Sequence, residues 1–173
     1  MGQSASIYRV SADDFELLKK SKNRKDYRLL ELSKDSSIFQ GSFMGIEFIL
    51  AKNQNEKTKR ILFEIFYPSD SLGEEKLEDM DEYDSGNHIP FLDNSKVEQI
   101  NEIIQKITDK VIIERYSSTE LNSNGIYPSG AWHDDNSENK VFNLRQTIED
   151  ITEIKKIFKS ANENNDYLLV FVG

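Results

Sequence analysis

Cysteine is absent from the 173 residues of the sequence, and histidine is scarce, with only His88 and His133 present. The first absence excludes disulfides, thiol nucleophiles and cysteine-ligated metals, and it favours a reducing compartment. No apolar run approaches the roughly 18 residues of a membrane span. The start, MGQSASIYRV, lacks the basic and apolar stretches of a signal peptide. We therefore expect a cytoplasmic protein without a membrane partner.

The sequence also lacks the short motifs that mark common catalytic and cofactor sites. It has no G-x-S-x-G elbow, no glycine-rich phosphate loop, no H-E-x-x-H pair and no dinucleotide fingerprint. We expect no cofactor and no metal ion, and no motif in the sequence indicates an enzyme activity.

Charge is abundant and unevenly distributed. Lys and Arg number 12 against 8 Asp and Glu in residues 1–60, but 10 against 23 in residues 61–173, and the formal net charge is −9. A negative field repels nucleic-acid backbones and attracts basic proteins. We expect no nucleic-acid partner, and either a basic protein partner or an acidic surface that serves solubility alone.

The apolar pattern predicts a single α+β domain over residues 1–173. Ser4–Val10 and the closing DYLLVFVG are predicted strands, the second of them buried in the sheet. Apolar residues at spacings of three and four predict helices after Ser11, from Asp93 or Asn94, and over Asn139–Ala161. The expected fold is a small mixed sheet, a single layer of strands covered by several packed helices.

Three segments between these elements are predicted from weaker patterns. The apolar spacing over Ile38–Leu50 predicts one helix. The run ILFEIFYP, residues 61–68, is predicted as a central strand because it is too apolar for an exposed edge. Residues 70–84 hold eight acids and one Lys, and residues 70–88 are predicted as an acidic surface loop.

Two carboxylates and one histidine are the candidate catalytic groups. Glu47 interrupts an apolar helical face and Glu64 an apolar strand, so burial would raise their pKa values and suit acid or base chemistry. His133, beside Asp134 and Asp135, is the third candidate. The alternatives are an outward-facing carboxylate, a structural hydrogen bond and an ordinary exposed histidine.

The candidate binding residues are acids and aromatics in two predicted loops. A basic partner would contact the acidic loop and the turn-rich segment Tyr127–Asp135, where large aromatics also commonly pack against the core. The candidates are Asp79, Asp81, Glu82, Asp84, Tyr127, Trp132, His133, Asp134 and Asp135.

Three segments together carry a family resemblance. They are the start MGQSASIYRV followed by an acidic helix, Gly125-Ile126-Tyr127-Pro128 before Trp132, and the long final helix that leads into NDYLLVFV. On these segments the chain resembles the YfbM-like family of bacterial proteins, a domain of unknown function, over nearly its whole length. The resemblance implies an α+β fold and no reaction.

One segment departs from the family pattern. Members often carry a Trp-His-Gly-Leu-His-Phe-like stretch, whereas the matching positions here read Phe43-Met44-Gly45-Ile46-Glu47-Phe48. This chain therefore lacks both histidines and any metal or acid-base mechanism that depends on them.

Two hypotheses about function follow. The first is a non-catalytic acidic module that binds a basic protein, for example an immunity protein that blocks a basic toxin or enzyme. The second is a hydrolase built around Glu47, Glu64 or His133. An enzyme needs these groups to converge in one pocket, whereas a binding module needs exposed acids and aromatics on a continuous face.

Overall fold

Strands and helices are interspersed along the whole chain. The computed structural model describes residues 2–21, 24, 28–73 and 88–173. Its strands are β1 (Ser4–Val10), β2 (Asp35–Gln40), β3 (Asp70–Leu72), β4 (Ile89–Leu92) and β5 (Tyr167–Val172). Its helices are α1 (Ala12–Lys20), α2 (Leu29–Leu32), α3 (Phe43–Ala51), α4 (Glu56–Phe63), α5 (Asn94–Ile104), α6 (Asp109–Arg115), α7 (Ser118–Ser123) and α8 (Leu144–Asn164). Within this described part of the chain, no helix is long and apolar enough to cross a membrane.

The five strands form one sheet in the order β2-β1-β5-β4-β3, and its four pairings are antiparallel. The predicted α+β class is confirmed. The expected mixed sheet is corrected to an antiparallel one, because an apolar strand pattern reports burial and carries no information on strand direction. After β1 the chain passes through α1 and α2 and comes back to the C-terminal end of β1. Strand β2 therefore runs antiparallel beside β1.

Helices cover both faces of this single layer of strands. Side chains alternate between the two faces of a strand, so Ala5 and Ile7 of β1 enter the main core while Val10 enters a smaller second cluster. The main core lies under the helices from α3 onwards. Phe15 and Leu18 of α1 close the second cluster.

Polar residues at the predicted positions begin two of the helices. Ser11 Oγ accepts a hydrogen bond from Asp14 N at 3.2 Å, and Asp93 Oδ1 accepts one from Lys96 N at 2.9 Å. Each side chain satisfies a backbone N–H that the first turn of a helix leaves free. The predicted starts of α1 and α5 are confirmed.

The single helix predicted over Ile38–Leu50 is wrong, because this segment contains two elements. Strand β2 continues to Gln40, Gly41 takes a positive φ of 74°, and α3 begins at Phe43. A left-handed residue ends the strand and redirects the chain. Phe39 and Ile46 still share the main core, but they reach it from different elements.

The central strand predicted over residues 61–68 is also wrong. Asn55 Oδ1 accepts a hydrogen bond from Thr58 N at 2.9 Å and begins α4, which runs through Phe63. Leu62, Ile65 and Phe66 are buried. Their spacing of three and one residues fits a helical turn. The β-branched and aromatic residues of this short run have the composition of a strand, and that composition led to the wrong prediction.

The predicted acidic loop, residues 70–88, requires a partial correction. Its first residues, Asp70–Leu72, form the edge strand β3 and pair with β4. Residues 74–87 lie outside the described part of the chain, and with them the candidates Asp79, Asp81, Glu82 and Asp84.

Candidate functional site

Glu64 follows the last residue of α4 and belongs to a network of ion pairs. Its Oε2 accepts hydrogen bonds from Lys96 Nζ at 2.6 Å and from Ser69 Oγ at 3.1 Å. Lys96 also pairs with Asp70 at 2.8 Å. Because these contacts join α4, β3 and α5, Glu64 has the surroundings of a structural carboxylate.

Glu47 lies half-buried on α3, without a hydrogen bond or an ion pair to any described residue. Burial raises the pKa of its carboxyl group. The pKa of the Tyr67 phenol is raised by burial and also by the nearby Glu47 charge. Glu47 therefore has the environment expected of a buried acid or base.

His133 lies in the segment that we call the Trp132 loop, residues 131–142. Its backbone N donates to Phe142 O at 3.1 Å, and its carbonyl oxygen accepts a hydrogen bond from Tyr116 Oη at 2.7 Å. Within the described residues, no hydrogen bond or ion pair joins His133 to Glu47 or Glu64. The three predicted catalytic candidates are therefore not brought together by these contacts.

Trp132 was predicted as a contact residue, and this prediction is corrected because its side chain is only 3% exposed. The indole Nε1 donates to Ile126 O at 3.0 Å, and the ring packs edge to face with Phe142 at a centroid distance of 5.7 Å. The space that the ring occupies exists because position 45 is glycine: a Cβ there would lie 2.2 Å from Trp132 Cη2. Trp132 anchors the loop to the core.

Asn143, fully buried, fixes the other end of the Trp132 loop. Its Nδ2 donates to Asp135 O at 2.8 Å and to Lys140 O at 3.3 Å, while its Oδ1 accepts from Gln146 N at 2.9 Å. The same side chain thus pins the loop and caps α8. This cap explains why the helix begins at Leu144, later than the predicted Asn139.

We expect Asn143→Ala to lower the free energy of unfolding by about 1 to 2 kcal/mol, because it removes a helix cap and leaves buried carbonyl groups without a donor. Chemical denaturation measures the loss, and hydrogen exchange locates it. Asn143→Asp separates the two roles, since a carboxylate keeps the cap acceptor but cannot donate to the loop. Unchanged exchange of the loop amides in both variants would contradict this role of Asn143.

The charged side chains that the Trp132 loop exposes are mostly acidic. Asp134, Asp135 and Glu138 are exposed, against one exposed cation, Lys140. Ser137 donates to Asp135 Oδ1 from its Oγ at 2.7 Å and from its backbone N at 3.0 Å, and these bonds lower the pKa of Asp135. The loop therefore presents three carboxylates, and the buried side chains of Trp132 and Asn143 hold its backbone in place.

A cleft of about 480 Å³, which we call the Tyr127 cleft, opens beside this loop. Tyr127 is half-buried in its wall, and its Oη accepts a hydrogen bond from Gln3 N at 3.2 Å. The lining residues are Gly2, Gln3, Ser4, Gln40, Gly41, Tyr127, Val141, Phe142 and Gln146. A second cleft of similar volume lies beside α2. Neither cleft is lined by Glu47, Glu64 or His133.

The pair Ser42 and Asp150 was missed by the sequence analysis. Asp150 Oδ2 and Ser42 Oγ are both buried, and the Ser42 hydroxyl is the hydrogen-bonding neighbour of the Asp150 carboxyl. Burial raises the pKa of Asp150 to about 6, the hydrogen bond from Ser42 opposes the shift and the Glu149 charge adds to it. The signal was available in the helical spacing, because position 150 lies three residues after the buried Thr147 and four before Ile154.

Six buried side-chain polar atoms lack a close hydrogen-bond partner among the described residues: Arg9 Nε, Ser42 Oγ, His88 Nδ1, His133 Nδ1, Arg145 Nε and Asp150 Oδ2. None of these residues lines the Tyr127 cleft.

The described start of the predicted acidic loop and the Trp132 loop do not share one edge of the sheet. Asp70, where the predicted acidic loop begins, lies on the edge strand β3. The Trp132 loop lies at the opposite edge, because Phe142 packs on Gly41 directly after β2. Four strand spacings of about 4.8 Å place these edges about 19 Å apart. For the described residues, the candidate site therefore lies at the β2 edge.

Comparisons with known proteins identify a family and a fold. The sequence profile of a domain of unknown function, DUF1877, matches residues 1–171. The crystal structure of YfbM from Escherichia coli, a protein of unknown function, is similar with a TM-score of 0.59 and 15% sequence identity, over 98% of this chain and 99% of that chain. No curated protein matches the sequence. At 15% identity the likeness concerns the fold, so function is argued from the site.

Proposed function

This chain belongs to the DUF1877 family, and because that family carries no assigned activity, we propose from the chain's own surface that it is a non-catalytic protein that binds a basic protein partner. The Trp132 loop is the proposed contact region. The observation that carries the proposal is the combination of a pinned loop backbone with exposed carboxylates.

The pinned backbone supports binding because it lowers the entropic cost of association. A loop that is already ordered loses less conformational freedom when a partner docks. Trp132 and Asn143 hold the two ends of the loop through buried contacts. Asp134, Asp135 and Glu138 remain exposed to a partner.

The charge of the chain supports a basic partner. A net charge of −9 attracts a cationic protein over distances beyond direct contact and raises the rate of encounter. Exposed carboxylates then act at the rim of an interface, where salt screens them. The proposal therefore includes an affinity that falls as ionic strength rises.

The hydrolase alternative retains Glu47, whose raised pKa suits an acid or a base. Hydrolysis by two carboxylates needs a second acid across the same cleft. Glu64 pairs with Lys96, and His133 belongs to the Trp132 loop. This arrangement supports the binding proposal over the hydrolase alternative.

An immunity-type inhibitor is the specific form of the proposal. Such a protein would bind a basic toxin or enzyme in the cytoplasm and block it by charge complementarity. An acidic protein without cysteine suits that role and that reducing compartment.

The test compares two variants that lose the same net charge. Asp134→Asn, Asp135→Asn and Glu138→Gln are combined in the loop variant, and the exposed acids Glu98, Glu102 and Glu114 are changed to Gln in the control. Tagged proteins capture partners from an extract of the native host, and the partner is then purified for titration. We expect the loop variant to bind it about tenfold or more weakly at low salt, because charges at the contact are lost.

The control separates contact from general charge. If both variants lose affinity equally, the net field rather than the Trp132 loop attracts the partner. If the wild-type protein captures no basic protein, or one whose binding ignores salt, the proposed function is overturned.

A further inference from the structure

The two edges of the sheet differ in how well they are protected against pairing with another strand. Natural edge strands are commonly short, or carry charges or proline. Strand β3 has only three residues, and its Asp70 forms an ion pair with Lys96. Strand β2 has six residues, Asp35–Gln40, without Lys or Pro. Among the described strands, β2 is therefore the edge whose length and composition suit the addition of a further strand.

The outer side of β2 offers the backbone groups of three residues. Gly41 N donates to Gln3 O at 2.9 Å, so position 41 bonds towards β1. In an antiparallel pair, residues bond alternately to the neighbouring strand and away from it. The N–H and C=O groups of Ser36, Ile38 and Gln40 therefore point away from β1. Within the described part of the chain, no backbone hydrogen bond reaches those of Ile38 or Gln40 on this side.

The side chains along this edge are uncharged and apolar at the centre. Ile38 is 56% exposed. Ser36 and Gln40 are its neighbours on the same face, because side chains two residues apart share a face of a strand. Val141, also exposed, lines the Tyr127 cleft together with Gln40 at the end of β2. The edge thus joins unpaired backbone groups to an exposed apolar surface.

A second copy of the same strand is complementary to this edge. If a two-fold axis passes through Ile38, antiparallel pairing places Ile38 opposite Ile38 of the second copy and Ser36 opposite its Gln40. All three outward residues then enter hydrogen-bonded pairs, each of which exchanges two backbone bonds. The two isoleucines meet on one face, where a pair of β-branched side chains is favourable. Such a self-complementary contact is the usual interface of a two-fold dimer.

The charges beside β2 permit this pairing. Asp35 comes opposite Gly41 of the second copy and Lys34 opposite its Ser42, so no two like charges meet in the paired strands. Lys34 also approaches the end of the second copy where the acidic Trp132 loop lies, since Phe142 packs on Gly41. The formal charge of −9 on each copy opposes association, but salt screens this repulsion at physiological ionic strength.

We propose that the protein forms a two-fold homodimer in which the β2 edges of two copies pair antiparallel, with Ile38 on the axis. The two sheets then become one continuous sheet. This inference goes beyond the proposed function and does not depend on it, because a second acidic copy is not the basic partner. Each dimer would carry two Trp132 loops, and two contact regions raise the avidity for a partner that has repeated sites.

Sedimentation of the purified full-length protein at physiological salt tests the association. We expect the mass to rise from one copy towards two as concentration increases. Ile38→Lys should weaken association about tenfold or more, because two lysine side chains would face each other across the axis. Ile113→Lys, at a position 52% exposed on α6, is the matched control and should leave it unchanged. An equal mixture of Ile38→Lys and Ile38→Asp should associate again, which misfolded variants would not do.

The absence of cysteine allows the register to be tested by disulfide trapping. Opposite residues of a hydrogen-bonded pair have Cα atoms about 5.5 Å apart, within the range of a disulfide. Ile38→Cys should therefore give a covalent dimer under mild oxidation. Ser36→Cys should not, because its two copies would lie about 14 Å apart, four residues along the strand. A mixture of Ser36→Cys and Gln40→Cys should give the covalent dimer.

The outcomes separate this inference from the proposed function. A wild-type protein that remains a single copy at its highest soluble concentration overturns the dimer. Equal weakening by Ile38→Lys and Ile113→Lys, or equal trapping of Ser36→Cys and Ile38→Cys alone, overturns the β2 interface. A monomer that still captures a basic protein leaves the proposed function standing. A dimer with this register that captures no basic protein supports the inference and contradicts the proposed function.

Discussion

Gly45→Ala is expected to lower the free energy of unfolding by about 3 kcal/mol, at the upper end of the usual cost of overpacking a core. An added Cβ would lie 2.2 and 2.3 Å from two atoms of the Trp132 ring, which is far inside van der Waals contact. The ring cannot swing away, because its Nε1 donates to Ile126 O and its edge packs on Phe142. At an exposed helical position the same change would instead stabilise by about 1 kcal/mol.

Denaturant unfolding monitored by far-ultraviolet circular dichroism measures this effect in every variant, including those that lack Trp132. A double-mutant cycle with Trp132→Phe provides the control, since a smaller ring leaves room for the added methyl group. The double variant should be less destabilised than the sum of the two single variants. Additive losses would mean that the Gly45 contact with Trp132 does not account for the cost.

Asp150→Asn is expected to stabilise the protein by about 2 to 3 kcal/mol at neutral pH, since a shift of one pKa unit corresponds to about 1.4 kcal/mol. The carboxyl pKa is raised from 3.8 to about 6 in the folded protein, mainly by burial. Partial solvent exposure of Asp150 keeps the effect towards the lower figure. The variant removes the charge and keeps nearly the same shape.

The pH dependence of this effect has a definite sign. A raised carboxyl pKa means that the folded state holds its proton more tightly than the unfolded state. The wild-type protein therefore loses stability as pH rises from about 4 to about 6, and the loss is constant above that range. Stability measured by denaturation across this range should separate wild type from Asp150→Asn at high pH and bring them together at low pH. Parallel curves would contradict the raised pKa, and Glu163→Gln, which changes an exposed acid on the same helix, should show no such divergence.

The Gly45→Ala prediction bears directly on function, since displacement of Trp132 would disturb the loop and weaken partner binding together with stability.

The sequence by itself determined the α+β class, the family and most element positions. The starts of α1 and α5 were predicted because a polar cap and the apolar spacing that follows are local signals. The closing strand was predicted because its apolar run is continuous. Local patterns failed at Gly41, where one left-handed residue divided an apparently helical spacing, and at residues 61–68, where the composition of a strand concealed a helical turn.

Only the tertiary structure decided which side chains meet. Glu64 resembled a catalytic acid until Lys96, from a distant helix, proved to be its partner. Gly45 and Trp132 are far apart in sequence, yet the ring of one fills the space left by the other. Asp150 was only one acid among many until the packing of α8 placed its carboxyl beside the Ser42 hydroxyl. Periodicity reports which face of an element is buried, but the groups that share a site are set by how elements pack, and that information is absent from local spacing.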